Sequence, residues 1–121
     1  MNMNIFEATS LLIREVAEEK GTFLHSLQQY RRWDMNAWNE LMLQMAVYIK
    51  FHEKNPVNLQ SRQTMELIFR ILHTTDKLLY YHFNPCDLYK IKNFDEIYPD
   101  LYIIEQSISD IYEELFKLNL S

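Results

Sequence analysis

The chain has 121 residues, enough for one hydrophobic core and too few for two independent ones, so we expect residues 1–121 to form a single domain. Hydrophobic residues make up 48% of the chain and the formal net charge is -5, which excludes a disordered protein. A single glycine, Gly21, excludes phosphate-binding loops and dinucleotide-binding folds, which place several glycines against the ligand. Scarce glycine also disfavours the tight hairpins of β-sheets, so the sequence favours an all-α protein.

The start of the chain and its cysteine content indicate the cellular compartment. The first ten residues, MNMNIFEATS, lack the basic start and apolar run of a secretory signal, and a lone Cys86 cannot form an internal disulfide. No apolar run approaches the roughly 20 residues that cross a bilayer. We therefore expect a cytoplasmic protein that does not span a membrane.

The first segment predicts one long helix, with at most a kink, that begins after Asn4. Asn4 and Glu7 resemble a capping box, in which two residues three positions apart bond each other's backbone N–H groups. An apolar stripe at helical spacing follows, and Glu19 is its one break, with Gly21 beside it. The stripe consists of Ile5, Ala8, Leu12, Val16, Phe23, Leu27 and Tyr30.

Two further helices are predicted at about 35–52 and 56–83. Asp34 is placed as the N-cap of the first, which is apolar on nearly every side and should be deeply buried. Asn55 and Pro56 predict the start of the second, because proline fits the first helical position. This helix has two apolar faces and should contact two neighbours. The faces consist of Met65, Ile68, Leu72, Leu79 and Phe83, and of Leu67, Ile71, Leu78 and Tyr81.

The stretch YYHFNPCDLY, residues 80–89, places His82 four residues before Cys86. Residues 84–87, Asn-Pro-Cys-Asp, fit the first positions of a short helix that ends near Lys92. A nucleophilic cysteine is disfavoured because a proline separates it from His82 and the following aspartate opposes a thiolate. We therefore interpret the stretch as a corner between helices, without a catalytic role.

Metal-binding patterns are missing from the sequence. The histidines show neither HxxxH nor HExxH spacing, and no Glu-x-x-His pair is present. His73 and His82 are nine residues apart on one predicted helix, which turns them to opposite faces. The sequence therefore predicts no metal, no cofactor and no enzymatic activity.

The last helix carries a heptad seam with a 4-3-4-3-4-3 spacing. Such a seam is typical of one wall of an intramolecular bundle, and a coiled-coil homodimer is the alternative. Short connections at about 31–34 and 53–55 favour antiparallel neighbours. The predicted fold is an antiparallel four-helix bundle, up-down-up-down, with a short extra helix in the 84–98 connection. The seam consists of Ile97, Leu101, Ile104, Ile108, Ile111, Leu115 and Leu118.

Acidic residues are concentrated in the last quarter of the chain. Residues 1–92 hold eleven basic and ten acidic side chains, whereas residues 93–121 hold one basic, Lys117, and seven acidic. Tyrosines alternate with these acids, and tyrosine often anchors interfaces while acids attract basic partners. The alternative is that these aromatics pack under the 84–98 connection and the acids form a solvated face. The predicted partner-binding residues are Asp95, Glu96, Tyr98, Asp100, Tyr102, Glu105, Asp110, Tyr112 and Glu113.

The sequence therefore predicts a small non-catalytic binding protein that neutralises or regulates a basic protein partner. Bacterial immunity proteins and phage inhibitors are of this physical type, and the likeness is one of size, charge and helical character alone. Residues 31–33, Arg-Arg-Trp, form the only basic cluster, and the negative net charge disfavours nucleic-acid binding. The alternatives are a homo-oligomeric structural module and an enzyme or ligand carrier with a pocket near His52, His73 or His82.

Overall fold

The computed structural model describes residues 3–119, which form helices without a strand, and so confirms the all-α class. One π-helical turn, Ser26–Tyr30, extends α2, and a 3-10 turn, Tyr98–Asp100, joins α5 to α6. None of the helices in this part of the chain is long and apolar enough to cross a bilayer. The helices are α1 (Ile5–Val16), α2 (Phe23–His25), α3 (Met35–Lys54), α4 (Leu59–Phe83), α5 (Phe94–Ile97) and α6 (Leu101–Asn119).

The first helix ends at Val16, so the prediction of one long helix over the first segment is wrong. Two residues after the end of α1, Glu18 adopts a left-handed conformation with φ of 54°, and Gly21 adopts φ of 94°. Glycine reaches this region without steric cost, whereas a side chain is strained there. The chain therefore turns between residues 17 and 22, and α2 takes a new direction.

A buried carboxylate joins α1 to the start of α2. Glu15 is 3% exposed, and its oxygens accept hydrogen bonds from the backbone N–H groups of Phe23 at 3.3 Å and Leu24 at 2.6 Å. Burial raises the pKa of Glu15, and these two hydrogen bonds oppose that effect. The carboxylate satisfies N–H groups that a helix start leaves without an intrahelical partner.

Two of the predicted helix starts are confirmed. The side chain of Asn4 accepts from the N–H of Glu7 at 2.9 Å and donates to the Glu7 carboxylate at 2.8 Å. Asp34 caps α3 by accepting from the N–H of Ala37 at 3.1 Å. These caps form because each side-chain oxygen reaches a backbone donor of the first turn.

The predicted start of the third helix at Asn55 and Pro56 is wrong. Asn55 ends α3, and its N–H donates to the carbonyl of Phe51. The following helix, α4, begins at Leu59, where Asn58 and Ser61 form a reciprocal capping box. The box satisfies the backbone N–H groups of Asn58 and Ser61 at once.

The core lies among α1, α3, α4 and α6, since α1 and α6 each contact both α3 and α4. The heptad seam of α6 faces this core, and Ile104, Ile108 and Leu115 are at most 4% exposed. The seam is therefore covered by other helices of the same chain.

Some residues assigned to the interior lie at the surface. Burial of α3 is limited to one face, because Leu43 is 44% and Phe51 38% exposed. Tyr30, placed on the first stripe, is 54% exposed, and Phe83, placed on a core face of α4, is 51% exposed. Both lie in the last turn of their helical segments, where fewer neighbouring helices cover the side chains.

Tryptophan in the basic cluster belongs to the core. Trp33 is 2% exposed and packs against Phe23 and Trp38, with ring centroids 4.7 Å and 4.9 Å away. Its ring is therefore covered and cannot stack on a nucleic-acid base.

Candidate partner-binding surface

After α4 the chain makes two turns, each closed by a side chain that bonds to the backbone two residues later. The predicted helix from Asn84 to near Lys92 is therefore wrong. Asn84 ends α4, and its side chain accepts from the N–H of Cys86 at 3.0 Å. Asp87 likewise accepts from the N–H of Tyr89 at 2.8 Å. These bonds offer the backbone an alternative to a helix. The short helix of the 84–98 connection is α5.

His82 holds the connection against the end of α4. Its Nδ1 accepts from the backbone N–H of Ile91 at 2.9 Å, and its ring lies 4.1 Å from that of Phe94. Cys86 is exposed. Among residues 3–119, no three His, Cys, Asp or Glu side chains are placed to share a metal ion.

Asn93 fixes where α5 starts. Its side chain accepts from the N–H of Trp33 and donates to the Trp33 carbonyl, both at 2.8 Å, and also donates to Glu96 at 2.9 Å. The hydroxyl of Tyr89 donates to the carbonyl of Leu27 at 2.7 Å. The connection is therefore tied to α2 and to the chain that follows it, and the predicted binding residue Glu96 has a structural partner.

Aromatic side chains form a row from the end of α4 to the first turn of α6, in which Phe94 is partly buried and the others are exposed. The ring centroid of Phe94 lies 5.2 Å from that of Phe83 and 6.0 Å from that of Tyr98. Tyr102 follows one helical turn after Tyr98, and these tyrosines are 77% and 65% exposed. The sequence analysis missed Phe83 and Phe94 as members of this row because their apolar spacing is also that of a core face.

A group of acidic side chains lies between α4 and α6. The hydroxyl of Tyr112 lies 3.5 Å from a carboxylate oxygen of Asp76, and its ring stacks on Phe69 with centroids 5.9 Å apart. Partial burial raises the pKa of Asp76, and the nearby charge of Glu105 adds to the rise, whereas Tyr112 and His73 oppose it. Glu105 and Tyr112 of α6 therefore converge with Asp76 of α4.

We call this side of the molecule the tyrosine–acid face. Burial, with a contribution from Asp76, raises the pKa of Tyr112 to about 12, so its hydroxyl keeps its proton at neutral pH. Asp95 and Glu113 are exposed and lie about 100° around the helix from Phe94 and Tyr112, at the outer border of this face. The face consists of Asp76, Phe83, Phe94, Asp95, Tyr98, Tyr102, Glu105, Tyr112 and Glu113.

Three of the nine predicted residues lie elsewhere. Glu96 and Asp100 line a polar cavity of about 420 Å³ together with Asp34. Asp110 lines the groove between α3 and α6, and accepts from the side chain of Gln106 at 2.9 Å. The nine predicted residues therefore lie on more than one side of the molecule, because the helical rotation turns these three away from the tyrosines, and their role in binding a partner stays a prediction.

Few of the acids on the tyrosine–acid face have an internal cation. Glu113 pairs with Lys117 at 3.7 Å, and both side chains are largely exposed. Asp95 and Glu105 form no ion pair with any residue of the described range 3–119. Their charges therefore face solvent, where a partner of opposite sign can meet them.

Comparisons with protein families, with curated proteins and with solved structures give no match to this chain.

Proposed function

We propose that this protein is a non-catalytic binding protein that neutralises or regulates a basic protein partner through its tyrosine–acid face. The exposure of Tyr98 and Tyr102 beside acids without internal cations is the observation that supports this function. Immunity proteins and protein inhibitors share its small size, acidity and helical character, and the likeness goes no further than physical type.

The aromatic row would supply the contact area of the complex. Tyrosine gives a large, partly apolar surface at a low cost in side-chain entropy and carries a polar tip that can bond to a partner. The ring contacts of Phe94 with Phe83 and Tyr98 hold the row together before a partner arrives. A surface ordered in advance loses less conformational entropy on binding.

The acids would attract the partner and orient it. Asp95 is exposed beside Phe94 in the chain, and Glu105 follows Tyr102 by three residues on α6 and lies near Asp76 of α4. Surface charges of one sign raise the rate at which an oppositely charged protein arrives, and salt screens this effect. A basic partner is therefore the class that this face would recognise.

The proposal assigns no catalytic step to His82 or Cys86. His82 could take up a proton at Nδ1 only by giving up its hydrogen bond from Ile91. The exposed free thiol of Cys86 is in keeping with a reducing compartment, and the proposal places the protein in the cytoplasm.

We also infer that the four long helices form an antiparallel bundle. Glu105 lies near Asp76 and Tyr112 stacks on Phe69, so the numbering rises along α6 while it falls along α4, which supports an antiparallel pair. The contacts of α1 and α6 with both α3 and α4 support a bundle of these four helices around one core.

A pull-down from a lysate of the source organism tests the proposed function. The Tyr102→Ala variant is compared with Ile103→Ala, because Ile103 is also exposed, at 63%, and lies about 100° around α6 from Tyr102, away from the α4 side. We expect wild type and Ile103→Ala to capture the same basic protein and Tyr102→Ala to lose most of it. Capture of no basic protein, or equal capture by both variants, contradicts the proposal.

A further inference from the structure

A cavity lies between α1, the end of α3 and the first turns of α4. Its volume is about 430 Å³, within the range of small-molecule sites. Phe6 and Ile13 of α1 and Phe51 of α3 contribute apolar surface, and the first two are 82% and 53% exposed. Ser61 and Thr64 of α4 contribute polar groups. The cavity thus offers both an apolar wall and groups that can form hydrogen bonds.

The lining of this cavity lacks charge. Among the described residues, no Asp, Glu, Lys or Arg side chain lines it. A charged molecule would lose hydration on entry without meeting an opposite charge, which is costly. The cavity therefore suits an uncharged molecule.

One lining residue, His52, has a ring nitrogen that forms no hydrogen bond within residues 3–119. Its side chain is buried, with 8% of the residue exposed, and its Nδ1 lies 2.9 Å from the carbonyl oxygen of Asn55. A carbonyl oxygen only accepts, so Nδ1 carries a proton, and Nε2 is an acceptor whenever the ring is uncharged. No group within residues 3–119 bonds to Nε2.

Neighbouring rings hold this acceptor in place. The ring of His52 lies 4.6 Å from that of Tyr48 and 4.9 Å from that of Phe51. The hydroxyl of Tyr48 donates to the carbonyl of Ser61 at 2.7 Å, and burial raises the pKa of Tyr48 to about 12. Tyr48 is therefore uncharged at neutral pH, and its proton is already engaged.

We propose that this cavity binds a small uncharged amphiphile, a phenol or an aromatic alcohol, whose hydroxyl donates to Nε2 of His52 while its ring lies against Phe6 and Phe51. The wall of aromatic and aliphatic side chains matches an aromatic body, and the unused acceptor matches a hydroxyl. The site would give the protein a ligand-binding activity separate from the tyrosine–acid face, because Thr64 lies on a different side of α4 from Phe69 and Asp76.

Three probes that share one ring system separate the parts of this proposal. The probe 2-naphthol has the ring and a hydroxyl donor, 2-methoxynaphthalene has the ring and an ether oxygen but no donor, and 2-naphthoate has the ring and a negative charge. Titrations of the folded 121-residue chain are followed by the backbone amide signals of α1 and the start of α4. We expect saturable binding of 2-naphthol, about tenfold tighter than 2-methoxynaphthalene because of one added hydrogen bond. We expect the weakest binding, or none, for 2-naphthoate.

Variants connect the binding to this cavity. His52→Phe should lower the affinity for 2-naphthol to that for 2-methoxynaphthalene. Since this change also removes the bond to Asn55, a second variant, Ser10→Trp, fills the cavity from an exposed position of α1 and should abolish binding of both neutral probes. Leu59→Ala is the control, because Leu59 is 77% exposed and does not line the cavity. It should leave both affinities unchanged.

Several results would overturn the proposal. Signal changes outside the cavity, no saturable binding of either neutral probe, equal affinities for 2-naphthol and 2-naphthoate, or unchanged binding by Ser10→Trp would each do so. None of these outcomes bears on the pull-down with Tyr102→Ala, so the two proposals fail separately.

Discussion

The backbone N–H of Ile91 donates to Nδ1 of His82 over 2.9 Å, which ties the connection after α4 to the last turn of that helix. Nδ1 accepts only when it carries no proton, so this bond requires the neutral ring with its proton on Nε2. Burial, and to a smaller extent the charge of Lys90, lowers the pKa of His82 from its usual 6.5. The folded state therefore resists protonation of His82 more than the unfolded state does.

We expect the free energy of unfolding to decrease as the pH falls below about 6.5, because the unfolded chain then binds a proton that folded His82 excludes. This contribution is complete above the unfolded pKa and is lost on acidification down to the lower folded pKa. Urea unfolding at a series of pH values measures it. His82→Asn keeps an acceptor for Ile91 and does not titrate, so its stability should depend less on pH. Equal pH dependence in both proteins would contradict the assignment.

Replacing Glu15 by alanine should lower the free energy of unfolding by about 2 to 4 kcal/mol, because the N–H groups of Phe23 and Leu24 then lose a charged acceptor while buried. Chemical denaturation of the variant measures the change. Glu40→Ala is the control, since Glu40 is exposed, and its change should stay within about 0.5 kcal/mol. A loss below about 1 kcal/mol for Glu15→Ala would mean that the carboxylate does not hold α2.

Leu72→Ala and Ile108→Ala should each cost about 2 to 5 kcal/mol of stability, because both side chains lie in the core and their truncation leaves cavities. Ile103→Ala, on the exposed side of the same helix as Ile108, should cost far less. Thermal and urea unfolding compare the three variants. Similar small losses at all three positions would show that the core lies elsewhere.

Reversing a charge on the α4 side of α6 should affect partner binding more than reversing a charge on its α3 side. Glu105→Lys should lower the association rate constant severalfold, because Glu105 belongs to the tyrosine–acid face and surface charge acts mainly on encounter. Asp110→Lys makes the same change in net charge from the α3 side and should have little effect. Binding kinetics with the captured partner at low and high salt measure both. If both variants lower the association rate constant equally, the change in net charge alone explains the effect, and the position of Glu105 does not matter.

Cys86→Ser should leave both stability and partner capture unchanged, because Cys86 is exposed and its backbone N–H, not its thiol, takes part in the turn with Asn84. Denaturation and pull-down of the variant check this. If the folded variant no longer captures the partner, the thiol of Cys86 has a role in function.

The fold class and two helix starts could be predicted because they depend on neighbours in sequence. Asp34 caps α3 through a residue three positions away, and the spacing of Ile104 and Ile108 places both on one face of α6. The break after Val16 could not be predicted in this way, since the apolar stripe continues through it in register. It depends on Glu15 and on Gly21, whose roles appear only when α2 folds back.

The end of α4 at Asn84 could not be predicted from the sequence either. Asparagine before proline fits the start of a helix, yet its side chain also forms the turn that ends α4, and nothing local separates the two outcomes. The contact of His82 with Ile91 and Phe94 decides between them.

Some properties of the candidate surface follow from the sequence, and others depend on the tertiary structure. The acidity of residues 93–121 and the presence of tyrosines among them are properties of the sequence alone. The packing of α6 between α3 and α4 determines which acids lie on the same side as the tyrosines. It places Glu105 near Asp76 of α4 and Asp110 in the groove beside α3. Helical rotation separates residues that are close in sequence, and only contact with another helix fixes which of them share a surface.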